Sequence, residues 1–392
     1  MELIIIPLIL FLIFMLIVLL KPEAKEAPAV ISEVEVVNNE PDYMKPKLTE
    51  TYLTLKNYIG QEKSVEYLKG HIKKSKENNV PLPHVVLWGN GGLGKSTLIK
   101  ATAHEMGGRF FELIPANLKN TKDLFGVLFK KECPVCEYHN PFSSTKCLSC
   151  KEPISIFFEP ICQLQDDDVV FLEECHGLKD EIEEAMYSLM QDSYIMVRYN
   201  GVDQKVDLPK VTIAGATTQL GDLRKPFRDR FRLNIKLEPY NNDQIKQIIK
   251  MYVANQKLSI TENGLDLIAK ISHGTPRIAK KYVIDGATIN SEISKESIET
   301  IMKLLGVDEF GLDYTHIKGM KHILERMKAM KNGGAGSTTI ASSLGIPKAV
   351  WETLYEPALL YQDMIFMGSR GRRLTDKAVD HYFATEKGNI RV

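Results

Sequence analysis

Apolar positions along this chain fall into runs of different period, and each period predicts a different element. The first run is continuous: Leu3 to Leu20 holds 18 apolar residues, with Pro7 in the opening turns. At helical rise it extends about 27 Å, close to the roughly 30 Å of a hydrocarbon core. A cleaved leader is one rival reading, but it calls for a positive start, a shorter run and a small-residue cleavage site. Only Met1 and Glu2 precede this run, and Lys-Pro-Glu follows it. A helix buried in protein is the other rival. The pattern predicts a transmembrane anchor over residues 1–20, meeting the membrane through residues 3–20. Lys21 and Lys25 on its C-terminal flank put the body of the chain on the cytoplasmic side of a single-pass inner or cytoplasmic membrane. Residues 21–45, rich in Glu, Pro and Ala, read as a tether of about 25–30 Å, or in part as a strand at "VISEVEVV".

The next apolar runs are short and bounded by turn residues, as buried parallel strands are. "HVVLW" leads into a Gly-rich loop and then an amphipathic helix, "GKSTLIKATAHEM". Val169 to Leu172 forms a second such run and ends in Glu173-Glu174. Between Ser193 and Asp207 the alternation "SYIMVRYNGVDQKVD" predicts a hairpin turning at Asn200-Gly201. From about Gly306 the pattern predicts three short helices and a wing. "TTIASSLGI" and "PKAVWETLYEPALLYQDM" read as helix-turn-helix with Gly345 in the turn, and "IFMGSRGRRLTDKA" as a hairpin with Arg370, Arg372 and Arg373 near its tip.

Length and charge refine this picture. A chain of 392 residues exceeds one ordinary core, so two or three domains are expected. Its 50 basic and 50 acidic side chains cancel, which excludes a bulk polycation and leaves nucleic-acid contact to a local patch. Residues 308–392 carry 12 basic and 10 acidic side chains, with the positive charge gathered at the wing. That distribution suits contact with backbone phosphates more than base reading, and a winged helix that binds protein is the alternative.

Two stretches carry chemistry. Gly89-Asn90-Gly91-Gly92-Leu93-Gly94-Lys95-Ser96, followed by Thr97, fits the P-loop pattern without mismatch. Its glycines let backbone N–H groups approach phosphates at a helix N-terminus, Lys95 reaches the β- and γ-oxygens, and the Ser96 hydroxyl is a ligand for magnesium. Glu173 is then placed to hold the magnesium shell and Glu174 to polarise the attacking water, unless the pair is a plain acidic turn. The usual pair begins with Asp, so a slower or altered hydrolysis of ATP is expected. Separately, Cys133-x2-Cys136 and Cys147-x2-Cys150 are paired knuckles whose four sulfurs can close on zinc, with disulfides as the alternative. His139 reads as a solvated side chain, and Cys162 and Cys175 as buried small hydrophobes.

The residues also carry a resemblance. "YIGQEKSVEYLKGHIKKSKENNVPLPHVVLWGNGGLGKST", "FLEECHGL", "GATTQLGDLRKPFRDRF", "GTPRIAKK", "LGVDEFGLD" and "YEPALLYQDMIFMGSRGRRLTDKA" resemble the RuvB family of AAA+ motors, in family order from about residue 46 to 385. The resemblance implies an α/β, doubly wound P-loop core over 46–235, a helical lid over 236–305 and a C-terminal winged helix over 306–392. The cysteine stretch, 131–162, is an insert that the family pattern lacks. By position, Tyr58 and Ile59 would lie against adenine, and Thr218 would sense the γ-phosphate. Arg230, with Arg228 near it, would be an arginine finger for a neighbouring subunit, and Arg277 a second sensor from the lid. A ring of self-associated subunits, a hexamer in the family, follows from a finger given in trans. The 193–207 hairpin corresponds to the surface that docks a RuvA partner, with Ile195 and Val197 as apolar contacts, or is purely structural. Asn90-Gly91 departs from the family's Pro-Pro.

Two functions fit. One is a membrane-anchored, zinc-containing ATPase that translocates duplex or junction DNA. The other is a tethered nucleotide switch that binds DNA or protein without processive motion.

Overall fold

The computed structural model describes residues 54–386, apart from 134, 142–143, 145, 155–160, 200–201 and 331–332. The Leu3–Leu20 run and the 21–45 tether therefore lie outside the described residues. Among the described residues no helix is long and apolar enough to cross a membrane.

Five short segments form a parallel sheet: β1 (Val85–Trp88), β2 (Phe110–Leu113), β3 (Val169–Leu172), β4 (Thr212–Thr217) and β5 (Leu233–Lys236), in the order β5-β1-β4-β3-β2. Every residue of β3 and β4 is buried, as expected of strands covered on both faces. One face packs on helices α1 (Glu62–Asn78) and α2 (Lys95–Met106), through Leu68, Leu98 and Ile99 against Val85, Leu87 and Ala214. The other packs on α3 (Thr121–Leu128) and α4 (Asp180–Asp192), through Leu124, Ile182 and Met186 against Val86, Val170 and Ile213. Asn120 and Asp123 form a capping box that starts α3. After β1 the chain crosses to the far edge at β2, returns through β3 and β4, and ends at β5 on the other side of β1. The crevice at the carboxyl ends of β1 and β4 is thus the switch point where such sheets bind ligands.

The helical segment that follows holds α5 (Asn242–Asn255), α6 (Glu262–Ile271), α7 (Pro276–Ile289) and α8 (Lys295–Leu305). Pro276 opens α7, where its missing N–H costs nothing.

The insert is a small three-stranded antiparallel sheet. Phe129–Glu132 lies between His139–Pro141 and Ile161–Cys162, so the module leaves and re-enters the core through adjacent strands. Cys175 is buried as expected, and burial pushes its thiol up to about 12. Cys162 is only half-buried, because it sits at the base of this sheet and not within a core layer.

The hairpin pairs Tyr194–Tyr199 with Val202–Asp207, joined by the two residues 200–201. Ile195 does not face a partner: it is 1% exposed and packs with Leu208 and Val211 in the core. Strand alternation turns its neighbour outward, and Met196 is 47% exposed. The Val197 side chain lies outside the described residues.

The C-terminal module holds α9 (Tyr314–Ala329), which at 16 residues is not short, and α10 (Ser337–Leu344). Gly345 ends α10 in the left-handed region (φ 68°), and the next helix runs through Lys348–Val350 and Glu356–Tyr361 with a π-turn at Trp351–Tyr355 between. Pro357, lacking an N–H, accounts for the break in the α ladder. A wing of Ile365–Gly368 and Gly371–Leu374 follows, and then a helix, Asp376–Glu386, that the sequence pattern did not predict.

The three wing arginines have separate fates. Arg370 is exposed in the wing turn. Arg373 lies over the Phe366 ring at 5.9 Å. Arg372 is not available for phosphate: its guanidinium clamps the buried Glu356 carboxylate through Nε and through Nη2 at 2.9 Å, with Glu352 at 3.6 Å. A buried carboxylate claims the nearest planar cation because leaving it unpaired is costly. Arg372→Gln should accordingly lower stability by about 2–4 kcal/mol in urea or thermal melts, whereas Arg370→Gln should change it by no more than about 0.5 kcal/mol.

Candidate active site

The loop after β1 is held open by its own backbone. Gly89 donates its N–H to Thr217 O at 3.3 Å, which ties the loop to the end of β4. Gly92 has φ +81°, and a Cβ there would lie 2.7 Å from Arg277 Cβ, so the loop and the lid approach more closely than a side chain would allow. The Leu93 side chain is fully buried beneath the loop. Lys95 Nζ donates to Gly89 O at 2.8 Å and to Asn90 O at 3.0 Å. Burial lowers its ammonium from the ordinary value, Glu174 and Glu173 oppose this, and Arg277 adds to it. A lysine so placed is drawn to phosphate charge as its strongest available partner.

Gly91, Gly92, Gly94, Lys95, Ser96, Thr97, Glu173, Glu174 and Arg277 line one cleft of about 470 Å³. Glu173 and Glu174 arrive from the carboxyl end of β3. Glu174 adopts φ 49° and ψ 55°, an uncommon conformation for a side chain of its size. It turns its carboxylate towards β4, where Oε2 accepts from Thr218 N at 3.0 Å and from Thr218 Oγ1 at 3.2 Å. A carboxylate fixed by two donors keeps its remaining lone pairs oriented for a water; Thr218 itself is not among the residues that line the cleft.

Arg230 lies outside the residues that line its own cleft. Its guanidinium donates to Pro226 O at 2.7 Å and to Gln191 Oε1 at 3.2 Å, and sits 4.2 Å above the Tyr187 ring. Tyr58 stands behind the loop with its hydroxyl 3.3 Å from Gly94 O and 3.1 Å from the Tyr240 hydroxyl; Ile59 packs half-buried on the core.

Several residues of the cleft were not singled out from sequence. Lys280, Lys281 and Asp285 share the cleft with Arg277, at three, four and eight positions along the same helix. Helical spacing from Arg277 was the available signal. His176 Nδ1 is 2.9 Å from Thr217 Oγ1 and 3.4 Å from Glu174 Oε2, so it buttresses the carboxylate from behind.

The four cysteines of the insert form a second site. The Sγ atoms of Cys133, Cys136, Cys147 and Cys150 all lie within 4.8 Å of one another, with the closest approaches 3.5 Å and 3.6 Å. Those separations approach the edge of a tetrahedron with metal–sulfur bonds of about 2.3 Å, which is about 3.8 Å, and are far from a disulfide bond of about 2.05 Å. Both knuckles repeat one backbone pattern: Glu137 N donates to Cys133 O and Lys151 N to Cys147 O, with φ 57° at Glu137 and 65° at Lys151. Burial alone would raise the Cys147 thiol, but N–H groups of Cys150 and Ser149 and the Asn140 amide bring it down to about 6. Asn140, fully buried, also accepts Leu148 N at 2.8 Å and so holds the second knuckle against the first. His139 is exposed and takes no part in the cluster. The donor set fits zinc.

Comparison with known proteins places this architecture. Residues 51–133 and 155–237 match the Holliday junction DNA helicase RuvB P-loop domain, and residues 309–383 match the RuvB C-terminal winged helix domain. The gap in the first match, residues 134–154, falls in the cysteine insert. The RuvB subunit of the Holliday junction branch migration complex of Staphylococcus haemolyticus is 33% identical over 337 residues, which span 84% of this chain and 91% of that protein. The counterpart from Staphylococcus saprophyticus is 33% identical over the same length. Among solved structures, the RuvB Holliday junction branch migration motor of Thermotoga maritima superposes with a TM-score of 0.64 at 30% identity, covering 84% of this chain and 96% of that one. With the P-loop, the paired carboxylates, the lid arginine and the winged helix in one chain, this protein belongs to the RuvB family of AAA+ ATPases.

Proposed function

We propose that this chain is a membrane-anchored motor that couples ATP hydrolysis around a ring to movement of duplex DNA, as in branch migration of a Holliday junction. One observation carries the reading: Lys95, Ser96, Glu173, Glu174 and the lid residue Arg277 converge on one cleft in a chain that ends in a winged helix. ATP would sit with its phosphates on the loop backbone of Gly91–Lys95. Ser96 and Glu173 would hold Mg²⁺, which offsets phosphate charge when bound. Glu174 would take the proton from the attacking water, and Thr218 would keep that carboxylate aimed. Lys95 and Arg277 would meet the charge that grows on the transferring phosphoryl, and Arg230 of an adjoining subunit would supply the rest. The position of Arg230 outside its own cleft supports a role in trans, and makes hydrolysis depend on ring assembly.

The DNA surface in this reading rests on Arg370 and Arg373 of the wing, with Arg372 as the brace beneath them. A RuvA-like partner would meet the hairpin through Met196 and not through Ile195. Cys133, Cys136, Cys147 and Cys150 would hold one structural zinc, and Leu3–Leu20 would anchor the chain.

Turnover measured with purified full-length protein in detergent should fall by about 10²-fold or more for Glu174→Gln, and by about 10³-fold for Arg230→Ala. Mixing Arg230→Ala subunits with Lys95→Ala subunits should restore part of the activity, since each supplies what the other lacks. Unchanged turnover in Arg230→Ala would overturn the motor and favour the slow nucleotide switch. Metal analysis should find about one zinc per chain, as a site of four thiolates holds, and none in Cys133→Ser/Cys136→Ser; equal zinc in both would remove the metal claim. On fractionation, the full-length chain should stay with carbonate-washed membranes, and recovery in the soluble phase would defeat the anchor.

A further inference from the structure

The winged helix touches the rest of the chain at the turn where the core hands over to the lid. Tyr361, the last residue of its third helix, places its hydroxyl 2.9 Å from Tyr240 O and 3.2 Å from Asn242 Oδ1. Tyr240 is the residue that reaches the phosphate loop from behind: its hydroxyl donates to Leu93 O at 3.1 Å and lies 3.1 Å from the Tyr58 hydroxyl. Its own N–H donates to Gly274 O at 2.9 Å. Gly274 (φ +64°) has no room for a side chain. A Cβ there would lie 2.4 Å from Tyr240 O and 2.6 Å from Tyr361 Cε2, so the tyrosine ring occupies that space. Three residues further on, Arg277 enters the nucleotide cleft. Tyr361 therefore grips both strands of the hinge, the one leaving β5 and the one leading to the lid arginine.

The same helix end is fastened to the lid independently. Gln362 Nε2 donates to Lys270 O at 3.0 Å and to Phe310 O at 3.1 Å, and His273 Nε2 lies 2.8 Å from the same Phe310 carbonyl. Lid and winged helix are thus pinned together, while Tyr361 alone of these contacts reaches the Tyr240 carbonyl. We propose that Tyr361 is a positioning residue: through Tyr240 and Gly274 it links DNA held on the wing to the placement of the phosphate loop and Arg277, and so sets how far DNA accelerates hydrolysis. The inference rests on the motor reading above. Its physical content is one hinge whose two settings are biased by nucleotide on one side and by DNA on the other. Linkage then requires the effect to be mutual: whatever factor nucleotide applies to DNA affinity, DNA applies to nucleotide affinity.

The test is Tyr361→Phe in the full-length protein. Phe keeps the ring that fills the space beside Gly274 and removes only the hydroxyl, and a melting curve verifies the fold. ATPase rates are measured without DNA and with four-way junction DNA. DNA affinity is measured with no nucleotide, with a slowly hydrolysed ATP analogue and with ADP. Expected are a basal rate within about twofold of the parent, a DNA stimulation lower by roughly five- to tenfold, and a matching loss of the difference in DNA affinity between the two nucleotides. Stimulation equal to the parent's, or basal and stimulated rates falling together, overturns the assignment. Should DNA fail to stimulate the parent protein itself, the motor reading fails, and the assignment fails with it.

Discussion

The parallel pairing of β1 between β4 and β5 is the constraint on which the rest of the site depends. Val85–Trp88 is hydrogen-bonded on one side to Ala214–Thr217 and on the other to Leu233–Lys236. Because these strands run the same way, their carboxyl ends deliver the phosphate loop, Thr218 and the approach to the lid at one edge. β3, paired with β4 from Val169 to Leu172, adds Glu173 and Glu174 to the same edge. Burial on both faces makes that register costly to change, since a slip would turn fully buried Val and Ile side chains out of their contacts. The reacting groups therefore inherit their spacing from backbone hydrogen bonds and need few contacts of their own.

Charge is divided among the arginines according to what each is asked to neutralise. Arg372 is committed to Glu356, and Arg224 to Asp180, Glu183 and Glu184 beside α4. Neither can be offered to a ligand without stranding carboxylates. Arg277 and Arg230 differ: one lines the cleft and the other, among the described residues, makes neutral hydrogen bonds and a ring contact. A guanidinium with no carboxylate partner among the described residues is the kind that an anionic ligand can recruit.

The cysteine insert shows how a module joins a core without disturbing it. Its first and last strands are neighbours, and Gln163 N returns to Leu128 O at 2.9 Å, which closes the base. Arg109 reinforces the junction: its side chain bridges Gln163 O at 2.7 Å and the buried Asp168 just before β3. Among the described residues of the loop, Ile154 is the apolar side chain buried with the sulfurs. The knuckle hydrogen bonds add cohesion there, as would a metal held by the thiolates.

Much of this was legible in the chain as written, where the chemistry needs neighbours in sequence. A phosphate loop works through consecutive backbone N–H groups, two Cys-x2-Cys knuckles bring two thiolates together each, and a helix-turn-helix is marked by a glycine that ends one helix in the left-handed region. Period and turn residues likewise located two of the five core strands, Val85–Trp88 and Val169–Leu172, and the hairpin. What the sequence could not assign was the destination of side chains whose partners lie far along the chain. The sequence alone does not distinguish Arg372 from Arg370, because only the packing of Glu356 beneath the wing, 16 residues away, commits one of them. Ile195 looked outward until strand alternation in the folded hairpin turned it to the core. The grip of Tyr361 on Tyr240 spans 121 residues and exists only once the lid has folded back over the phosphate loop. Local geometry is written in local sequence because it spends few degrees of freedom; long-range contacts are decided by tertiary packing because many pairings compete until burial selects one.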